Sequence, residues 1–291
     1  MRSKSRHGSG MKIAGSVTRP PAFAFFWLCS WLIVFCALLP LGAQTTTASS
    51  KTEISSTDLA QEPFVIEQSL RKETFESDGT AVREDTARVR IQSEAGLQRY
   101  GLLSFSYASG TGTFEIGYVR VRKPDGTVVA TPPESAQDMA AEITRAAPFY
   151  SDLHEKHIAV KGLSVGDTLE FQVRDKTTKP LAPGQFWTEY IFATDSIVRD
   201  EELVVRVPRE RAVKVKSVPP PAIREEGSYR VYSWHHANLS RKSPANAKRE
   251  EIARSWRQAR GRLQDPEVRL SSFGSWEEVG RWYNSLQAER A

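Results

Sequence analysis

The residue of this sequence that most resembles a catalytic nucleophile is Ser164, which stands between two glycines. Residues 162–166 read Gly-Leu-Ser-Val-Gly, and G-x-S-x-G is the nucleophile elbow of α/β-hydrolases, where a sharp strand-to-helix turn exposes the serine. A helix is not expected here, because Leu169, Phe171 and Val173 alternate with polar residues in the period of two that is typical of a half-buried strand. We therefore interpret both glycines as hairpin positions and assign Ser164 no catalytic role.

Two histidines, His154 and His157, stand near the carboxylates of Asp152 and Glu155. Residues of these types together ligate zinc in many proteins. On an extended segment, however, residues three positions apart point to opposite faces. A metal ion shared by the two histidines is therefore not expected.

Two other motifs also have simpler structural interpretations. The adjacent His235 and His236 end a segment rich in Tyr and Trp, and neighbours on a strand point to opposite faces, so we interpret them as a half-solvated pair. Gly110, Thr111 and Gly112 lack the lysine and the following helix of a phosphate-binding loop. We predict no catalytic residue, no metal site and no cofactor, and the sequence leaves the binding residues unknown.

Cysteine is confined to an apolar segment near the N-terminus. Cys29 and Cys36 are the two cysteines of the chain, so residues 44–291 can hold no disulfide, no thiolate metal site and no cysteine nucleophile. For this part of the chain we therefore expect no chemistry that depends on a thiol.

The first 43 residues are predicted to be a signal peptide or a membrane anchor. Basic residues precede an almost unbroken apolar run at residues 22–39, and the small residues Gly42 and Ala43 follow it, which is typical of a signal peptide. The run also approaches the roughly 20 residues that span a bilayer, so an uncleaved anchor is the alternative. We expect a periplasmic or secreted protein, or one held in the inner membrane by residues 22–39.

The charge of the chain gives no reason to expect a nucleic-acid partner. The formal net charge is +5, from 40 Lys and Arg against 35 Asp and Glu. Five of the cations precede residue 44, where no acid occurs, so the remaining 35 balance the acids. Binding to nucleic acid needs clustered cations that neutralise phosphates. We expect an unknown protein, peptide or polymer as partner, and membrane contact only through an uncleaved N-terminal segment. The five cations are Arg2, Lys4, Arg6, Lys12 and Arg19.

Short extended segments dominate residues 63–240. A Ser- and Thr-rich stretch at residues 44–62 precedes them and is predicted to be a flexible linker. Asp78-Gly79 and the Pro-Asp-Gly sequence at residues 124–126 are turn signals, and residues 131–149 are predicted to be a loop. With about ten strands and no long helix between them, the fold class is mostly β, an antiparallel β-sandwich. The predicted strands are residues 64–75, 81–91, 102–107, 114–122, 127–130, 150–160, 168–173, 186–192, 201–207, 212–218 and 229–234.

Helical spacing predicts two helices after residue 240, at residues 246–262 and 275–287. The second opens with Ser275 and Glu278, the capping-box pattern. The basic residues of 241–262 are interpreted as a solvated helix face, with contact to anionic lipid or polymer as the alternative. We predict that residues 241–291 open a second, helical domain. One or two further helical turns are predicted at residues 93–101.

Five sequence blocks, in order, resemble a known family. Together they cover roughly residues 63–287, and the chain resembles the domain of unknown function 3857, the β-rich N-terminal module of exported bacterial proteins that usually continue into a transglutaminase-like domain. The blocks are Gly-Leu-Gln-Arg-Tyr-Gly at 96–101, Lys-Pro-Asp-Gly-Thr-Val at 123–128, Tyr-Ser-Asp-Leu at 150–153, Gly-Leu-Ser-Val-Gly-Asp-Thr-Leu-Glu at 162–170 and Leu-Ser-Ser-Phe-Gly-Ser-Trp-Glu-Glu-Val at 270–279.

The resemblance implies that residues 241–291 begin a transglutaminase-like domain whose catalytic Cys, His and Asp would lie beyond Ala291. We therefore expect a chain truncated before that core. Our leading hypothesis is an exported, non-catalytic β-sandwich module that binds or positions a peptide, protein or polymer partner for a transglutaminase-like domain. The alternative is the N-terminal fragment of a transglutaminase-like or cysteine-protease-like enzyme, and a third hypothesis is a membrane-tethered spacer.

Overall fold

Fourteen strands make up most of the described chain. The computed structural model describes residues 59, 61–142, 144, 152–239 and 266–288. Helices at Glu94–Tyr100 and Trp276–Ala288 and a 3₁₀ turn at Pro133–Ser135 accompany the strands. The strands are β1 (Phe64–Phe75), β2 (Ala81–Ile91), β3 (Leu102–Ala108), β4 (Gly112–Arg122), β5 (Val128–Thr131), β6 (Gln137–Ala140), β7 (Leu153–Ala159), β8 (Thr168–Thr177), β9 (Trp187–Tyr190), β10 (Val198–Pro208), β11 (Lys214–Ser217), β12 (Ala222–Glu226), β13 (Tyr229–Asn238) and β14 (Val268–Ser271).

Eight of these strands form one large sheet in the order β12-β13-β10-β1-β2-β8-β4-β5. Every neighbouring pair is antiparallel except β1 and β10, which run parallel. The predicted turns at Asp78-Gly79 and at residues 124–126 connect β1 to β2 and β4 to β5, with Gly79 and Gly126 both at a φ of 90°. L side chains rarely adopt that conformation, which explains the glycines.

One face of the large sheet carries both hydrophobic cores. Residues that pair across a ladder share a face, and alternate residues along each strand share it too. One such row, from β13 to β4, consists of Trp234, Leu203, Arg71, Asp85, Val173 and Ile116. The first core consists of Phe75, Phe186, Phe192, Leu203, Val205, Val207, Tyr232, Trp234, Val268 and Leu270. The second consists of Leu103, Val119, Val121, Ile158 and Leu169.

Two three-stranded antiparallel sheets cover this face. The sheet β11-β14-β9 contributes to the first core, and the sheet β3-β7-β6 contributes to the second. The described residues therefore form a sandwich in which one layer is the large sheet and the other layer consists of two small sheets. The predicted fold class, mostly β and mostly antiparallel, is confirmed.

Three of the strands are not predicted by the sequence analysis. β6 lies in the range predicted as a loop, and β6 and β12 are exposed along their whole length, so neither shows an apolar period. β14 lies in the range predicted to open a second domain. In the structure it is the central strand between β11 and β9, so its two apolar residues, Val268 and Leu270, belong to the first core of the sandwich.

The predicted segments at the two ends are only partly described. The helix at Trp276–Ala288 matches the prediction for residues 275–287. The Glu278 N–H donates to Ser275 Oγ at 3.3 Å, which is one bond of the predicted capping box, but the Glu278 carboxylate accepts from the Gly274 N–H at 2.6 Å instead of from the Ser275 N–H. The short predicted helix is found at Glu94–Tyr100. The leader at residues 1–43, most of the linker at 44–62 and the helix predicted at 246–262 lie outside the described residues. Among the described residues, none of the helices has the length and apolar character that crossing a membrane requires.

The opposite face of the large sheet is lined by ion pairs. The Glu170 side chain is 6% exposed and accepts a hydrogen bond from Arg120 Nε at 2.6 Å. Arg88 Nε and Arg122 Nε each lie 3.4 Å from its second oxygen, and the three arginines are 43–49% exposed. One buried carboxylate on β8 thus organises three cations on its two neighbouring strands, β2 and β4.

Candidate functional site

The segment around Ser164 is a turn that leads directly into β8. Gly162 and Gly166 have φ angles of 67° and 95°. The buried carboxylate of Asp167 accepts hydrogen bonds from the Ser164 backbone N–H and from the Lys123 ammonium, each at 2.7 Å. The helix that a nucleophile elbow requires is replaced by a strand. The structure therefore gives these residues a role in holding the turn.

His154 and His157 lie on opposite faces of β7, since they pair with Tyr107 and Ser104 respectively. His154 Nδ1 is 3.1 Å from the carboxylate of Asp138, and the Tyr107 hydroxyl donates to the same carboxylate at 2.7 Å. Burial and the hydrogen bond to Asp138 raise the pKa of Tyr107 to about 12. Within the described ranges, no group of three or more His, Cys, Asp or Glu side chains is arranged to hold a metal ion.

The remaining two motifs also serve the fold. The His236 ring lies 5.0 Å from the ring of Phe192 on the core side, while His235 is 65% exposed on the other side. At Gly112 a Cβ atom would lie 2.1 Å from the carbonyl oxygen of Lys176, so this glycine permits β4 to approach β8 closely.

Three side chains that the sequence analysis does not combine into one site are connected by hydrogen bonds in the structure. Ser104 Oγ lies 3.0 Å from His157 Nδ1, and His157 Nε2 lies 3.0 Å from Glu155 Oε2. The order serine, histidine, carboxylate is that of a hydrolase triad, but the ring nitrogens are exchanged, because in the triad Nε2 faces the serine and Nδ1 faces the carboxylate. The side chains project from the outer face of the sheet β3-β7-β6, opposite to the face that carries Leu103 and Ile158. Such a relay needs a water-excluding site, whereas the contact between Ser104 and His157 is exposed to solvent.

A groove separates the two small sheets and is the best-formed candidate site. Its floor is formed by β1, β2 and β8 of the large sheet, and its walls are β9 and β3. It comprises two cavities of about 490 Å³ and 360 Å³, and Arg71 and Arg83 line both of them. Along β1 the floor extends from Ser69 to Phe75, which corresponds to about 20 Å at the rise of a strand.

The wall strand β9 is the edge of its sheet and has unpaired backbone groups. The Ser272 N–H donates to the Phe186 carbonyl at 2.9 Å. Hydrogen-bonded pairs alternate along an antiparallel ladder, so Thr188 also bonds to β14. The backbone N–H and C=O groups of Trp187 and Glu189 therefore point away from β14, toward the groove.

The opposite wall strand, β3, is also an edge. The Val160 N–H donates to the Gly101 carbonyl at 2.9 Å, and the same alternation applies along the β3–β7 ladder. The backbone groups of Leu102, Ser104 and Ser106 therefore point away from β7. Two strand edges with free hydrogen-bonding groups thus border one groove.

Ion pairs occupy the floor of the groove. Arg71 makes a bidentate contact with Asp85, with Nε–Oδ1 and Nη2–Oδ2 distances of 2.6 and 3.0 Å. Arg83 Nη2 lies 2.5 Å from Asp175 Oδ2. The Arg71 guanidinium also lies 5.1 Å from the centre of the Tyr190 ring. Each floor arginine therefore already has a carboxylate partner.

Glu73 differs from the other floor acids because it has no cation within ion-pair distance among the described residues. It is 6% exposed, and its Oε2 is buried without a hydrogen-bond partner. Burial raises the pKa of Glu73, although a hydrogen bond from Thr188 and the charges of Arg71 and Arg83 oppose the shift. Arg83 Nε is likewise buried without a hydrogen-bond partner, although it lies 3.7 Å from Asp85 Oδ2. One free acceptor and one free donor thus line the larger cavity.

The β9 wall is fixed by a buried carboxylate. Glu201, 3% exposed, accepts hydrogen bonds from the Tyr190 hydroxyl at 2.8 Å and from the Ala193 N–H at 3.1 Å. Burial and the Glu201 carboxylate raise the pKa of Tyr190 well above its usual value. Tyr190 therefore remains a neutral donor, and the groove presents a preformed surface suited to binding.

A family model matches more than half of the chain. The family described as "Domain of Unknown Function with solved-structure structure (DUF3857)" matches residues 77–242. No curated protein matches the sequence.

Solved structures give a likeness in fold. The crystal structure of a "putative protease" from Parabacteroides distasonis has a TM-score of 0.60 at 18% identity, with 74% of this chain and 41% of that chain covered. An M1 zinc metallopeptidase from Deinococcus radiodurans has a TM-score of 0.33 at 9% identity, with 60% of this chain and 39% of that chain covered. The chain thus spans less than half the length of either protein.

Proposed function

The chain belongs to the DUF3857 family, and from this premise we propose that it is an exported, non-catalytic recognition module that holds an extended peptide in the groove between β9 and β3. The peptide lies along the floor as an added strand and completes the second layer of the sandwich. This position suits a module that presents a peptide segment to a transglutaminase-like domain.

The observation that carries the proposal is the pair of free edges that face one groove. An exposed strand edge is a template for another strand, because its unpaired N–H and C=O groups match those of any extended chain. In recognition by strand addition, these main-chain hydrogen bonds supply affinity and the pockets beneath supply specificity. The floor length of about 20 Å corresponds to a peptide of about six or seven residues.

Three features support a module without catalysis. Residues 44–291 contain no cysteine nucleophile. Ser164 is held within a turn by Asp167, and Ser104 with its histidine lies on the outer face of a small sheet. The groove itself contains paired ions and a neutral tyrosine, which favour binding over bond-making.

The test compares two substitutions at one wall position, in the full chain purified in mild detergent. Glu189→Pro removes the backbone N–H that points into the groove. Glu189→Ala removes the same side chain and its 3.5 Å contact with Arg269 but keeps the N–H. Proline is tolerated at edge-strand positions outside the ladder, so both variants should fold. A net hydrogen bond contributes about 0.5–1.5 kcal/mol, which predicts about two- to twelve-fold weaker binding for the proline variant.

The probe is a fluorescently labelled peptide of about seven residues that alternates Thr and Val, measured by anisotropy. Binding should also protect residues 186–191 and 101–109 from amide hydrogen exchange, because both edges gain partners. Equal affinities of the two variants, or protection elsewhere in the chain, would contradict strand addition at β9. Export is tested separately by N-terminal sequencing of the purified protein, which should begin after Ala43.

A second candidate function is the N-terminal part of a larger transglutaminase-like or cysteine-protease-like enzyme. The fold likeness to a protein described as a putative protease, of which this chain covers 41%, favours it. In that case the groove positions substrate for catalytic residues beyond Ala291. Sequencing of the DNA past codon 291 decides between the candidates, because an open frame encoding a Cys followed by a His and an Asp supports the enzyme.

A further inference from the structure

We propose that the groove selects extended peptides that carry a lysine or arginine, whose cationic side chain enters the larger cavity and pairs with the carboxylate of Glu73. This inference rests on the proposed function and specifies its ligand class. It assigns the groove a chemical preference that the free strand edges alone do not provide.

The charges of the cavity favour a cation. Arg71 is committed to Asp85 and Arg83 to Asp175, at 2.6 and 2.5 Å. Glu73 remains as a floor carboxyl with a free, buried oxygen. The residues that line the 490 Å³ cavity include two arginines and three acids, Glu73, Asp175 and Glu189. Glu189 lies 3.5 Å from Arg269 and is 63% exposed, so Glu73 is the acid of this lining that no described cation pairs with. An ammonium or guanidinium group would therefore gain a partner there.

The orphan atoms of the cavity match a peptide that carries such a side chain. Glu73 Oε2 is an acceptor and Arg83 Nε–H is a donor, and both are buried without a hydrogen-bond partner, although Arg83 Nε lies 3.7 Å from Asp85 Oδ2. A cationic side chain supplies donors for the first, and a peptide carbonyl supplies an acceptor for the second. Leaving both atoms unpaired in the free protein costs stability that the bound peptide recovers.

Binding of the cation should be linked to the protonation of Glu73. Burial raises the pKa of this carboxyl, so it gains a proton on acidification before ordinary glutamates do, and a cation that pairs with it displaces the proton. Affinity for a lysine peptide should then fall as the pH drops through this pKa. The charged and titratable groups that face Glu73 or line its cavity are Arg71 on β1, Arg83 and Asp85 on β2, Asp175 on β8, and Glu189 and Tyr190 on β9.

The experiment compares Thr–Val peptides of the same length with either lysine or norleucine, its uncharged counterpart, at the centre. For the full chain at about pH 8, the lysine peptide should bind about ten-fold or more tightly than the norleucine peptide, as expected for a charged hydrogen bond. The ratio of the two affinities, lysine peptide over norleucine peptide, should be smaller at about pH 5. In Glu73→Gln the ratio of the two affinities should approach one.

The matched control is Glu115→Gln, which removes one negative charge from the opposite face, where Glu115 is 51% exposed beside Lys176. It should retain the preference for lysine. Equal binding of lysine and norleucine peptides by the wild type would overturn the cation site and leave strand addition intact, whereas failure of both peptides to bind would overturn the groove itself. A preference that survives in Glu73→Gln would overturn the assignment to Glu73. If Glu73→Gln does not fold, the wild type still tests the assignment to Glu73. A ratio of lysine-peptide to norleucine-peptide affinity that is independent of pH would overturn that assignment.

Discussion

Glu170→Gln should destabilise the fold at neutral pH by about 2 kcal/mol. The carboxylate is 6% exposed and accepts one short hydrogen bond of 2.6 Å from Arg120. A hydrogen bond to a charged group contributes about 1.5–3 kcal/mol. The 3.4 Å contacts to Arg88 and Arg122 add only a few tenths of a kcal/mol each, because these arginines are nearly half exposed and solvent screens them.

The loss should depend on pH with a defined sign. Burial alone would raise the pKa of Glu170, but the hydrogen bonds and charges of Arg120 and Arg122 outweigh it, so the pKa lies below the usual value of 4.5. A carboxyl with a lowered pKa in the folded state contributes stability that is present above the unfolded pKa and is lost as the pH falls through the folded pKa. The difference in the free energy of unfolding between wild type and Glu170→Gln should therefore reach its maximum at pH 7 and should decrease below about pH 4.5.

Urea unfolding at pH 7 and at several values down to about pH 3.5 measures the effect. A loss of about 2 kcal/mol corresponds to a fall in Tm of about 4–8 °C for a domain of this size. Glu115→Gln is the control, because Glu115 is 51% exposed on the same face and should cost no more than about 0.5 kcal/mol. A loss at pH 7 no larger than that of the control, or an equal loss at pH 7 and pH 3.5, would refute the reasoning.

Two further predictions concern glycines and serines. Gly96→Ala should destabilise the fold by about 1–3 kcal/mol, because the added Cβ would lie 2.1 Å from the carbonyl oxygen of Pro63. Gly280→Ala should stabilise the fold by about 0.5–1 kcal/mol, because Gly280 lies in the helix Trp276–Ala288 and its added Cβ would meet nothing within 4 Å. Thermal unfolding compares the two, and shifts of the same sign would contradict the packing. A fluorophosphonate probe followed by mass spectrometry should label neither Ser104 nor Ser164, and labelling at either one would show that the chain is not catalytically inert.

Local sequence patterns predict those strands whose two faces differ in environment. Leu169 and Val173 are buried, and the polar residues that alternate with the apolar ones along β8 include Glu170 and Arg174 on the ionic face. The alternation is therefore visible in the sequence. β6 and β12 are exposed along both faces. Neither face has to be apolar, so their sequences show no alternation of apolar and polar residues.

The groove was not predictable, because it arises from pairings that join distant parts of the chain. Arg71 and Asp85 occupy inward positions of β1 and β2, where charged residues obscure the apolar period. Their partnership follows from the register of the hairpin. Among the described residues no strand covers them, because β9 and β3 are the edges of their sheets. Ser104 and His157 meet for the same reason, through the β3–β7 register.

The parallel pairing of β1 with β10 determines when the main sheet can close. Ile66 pairs with Val198, so the first strand to emerge during synthesis waits for most of the chain before its second neighbour exists. Contacts this distant in sequence form slowly, because the entropy of closing a long loop is lost before they are gained. A nascent chain therefore carries the β1–β2 hairpin with an open β1 edge until β10 has been synthesised.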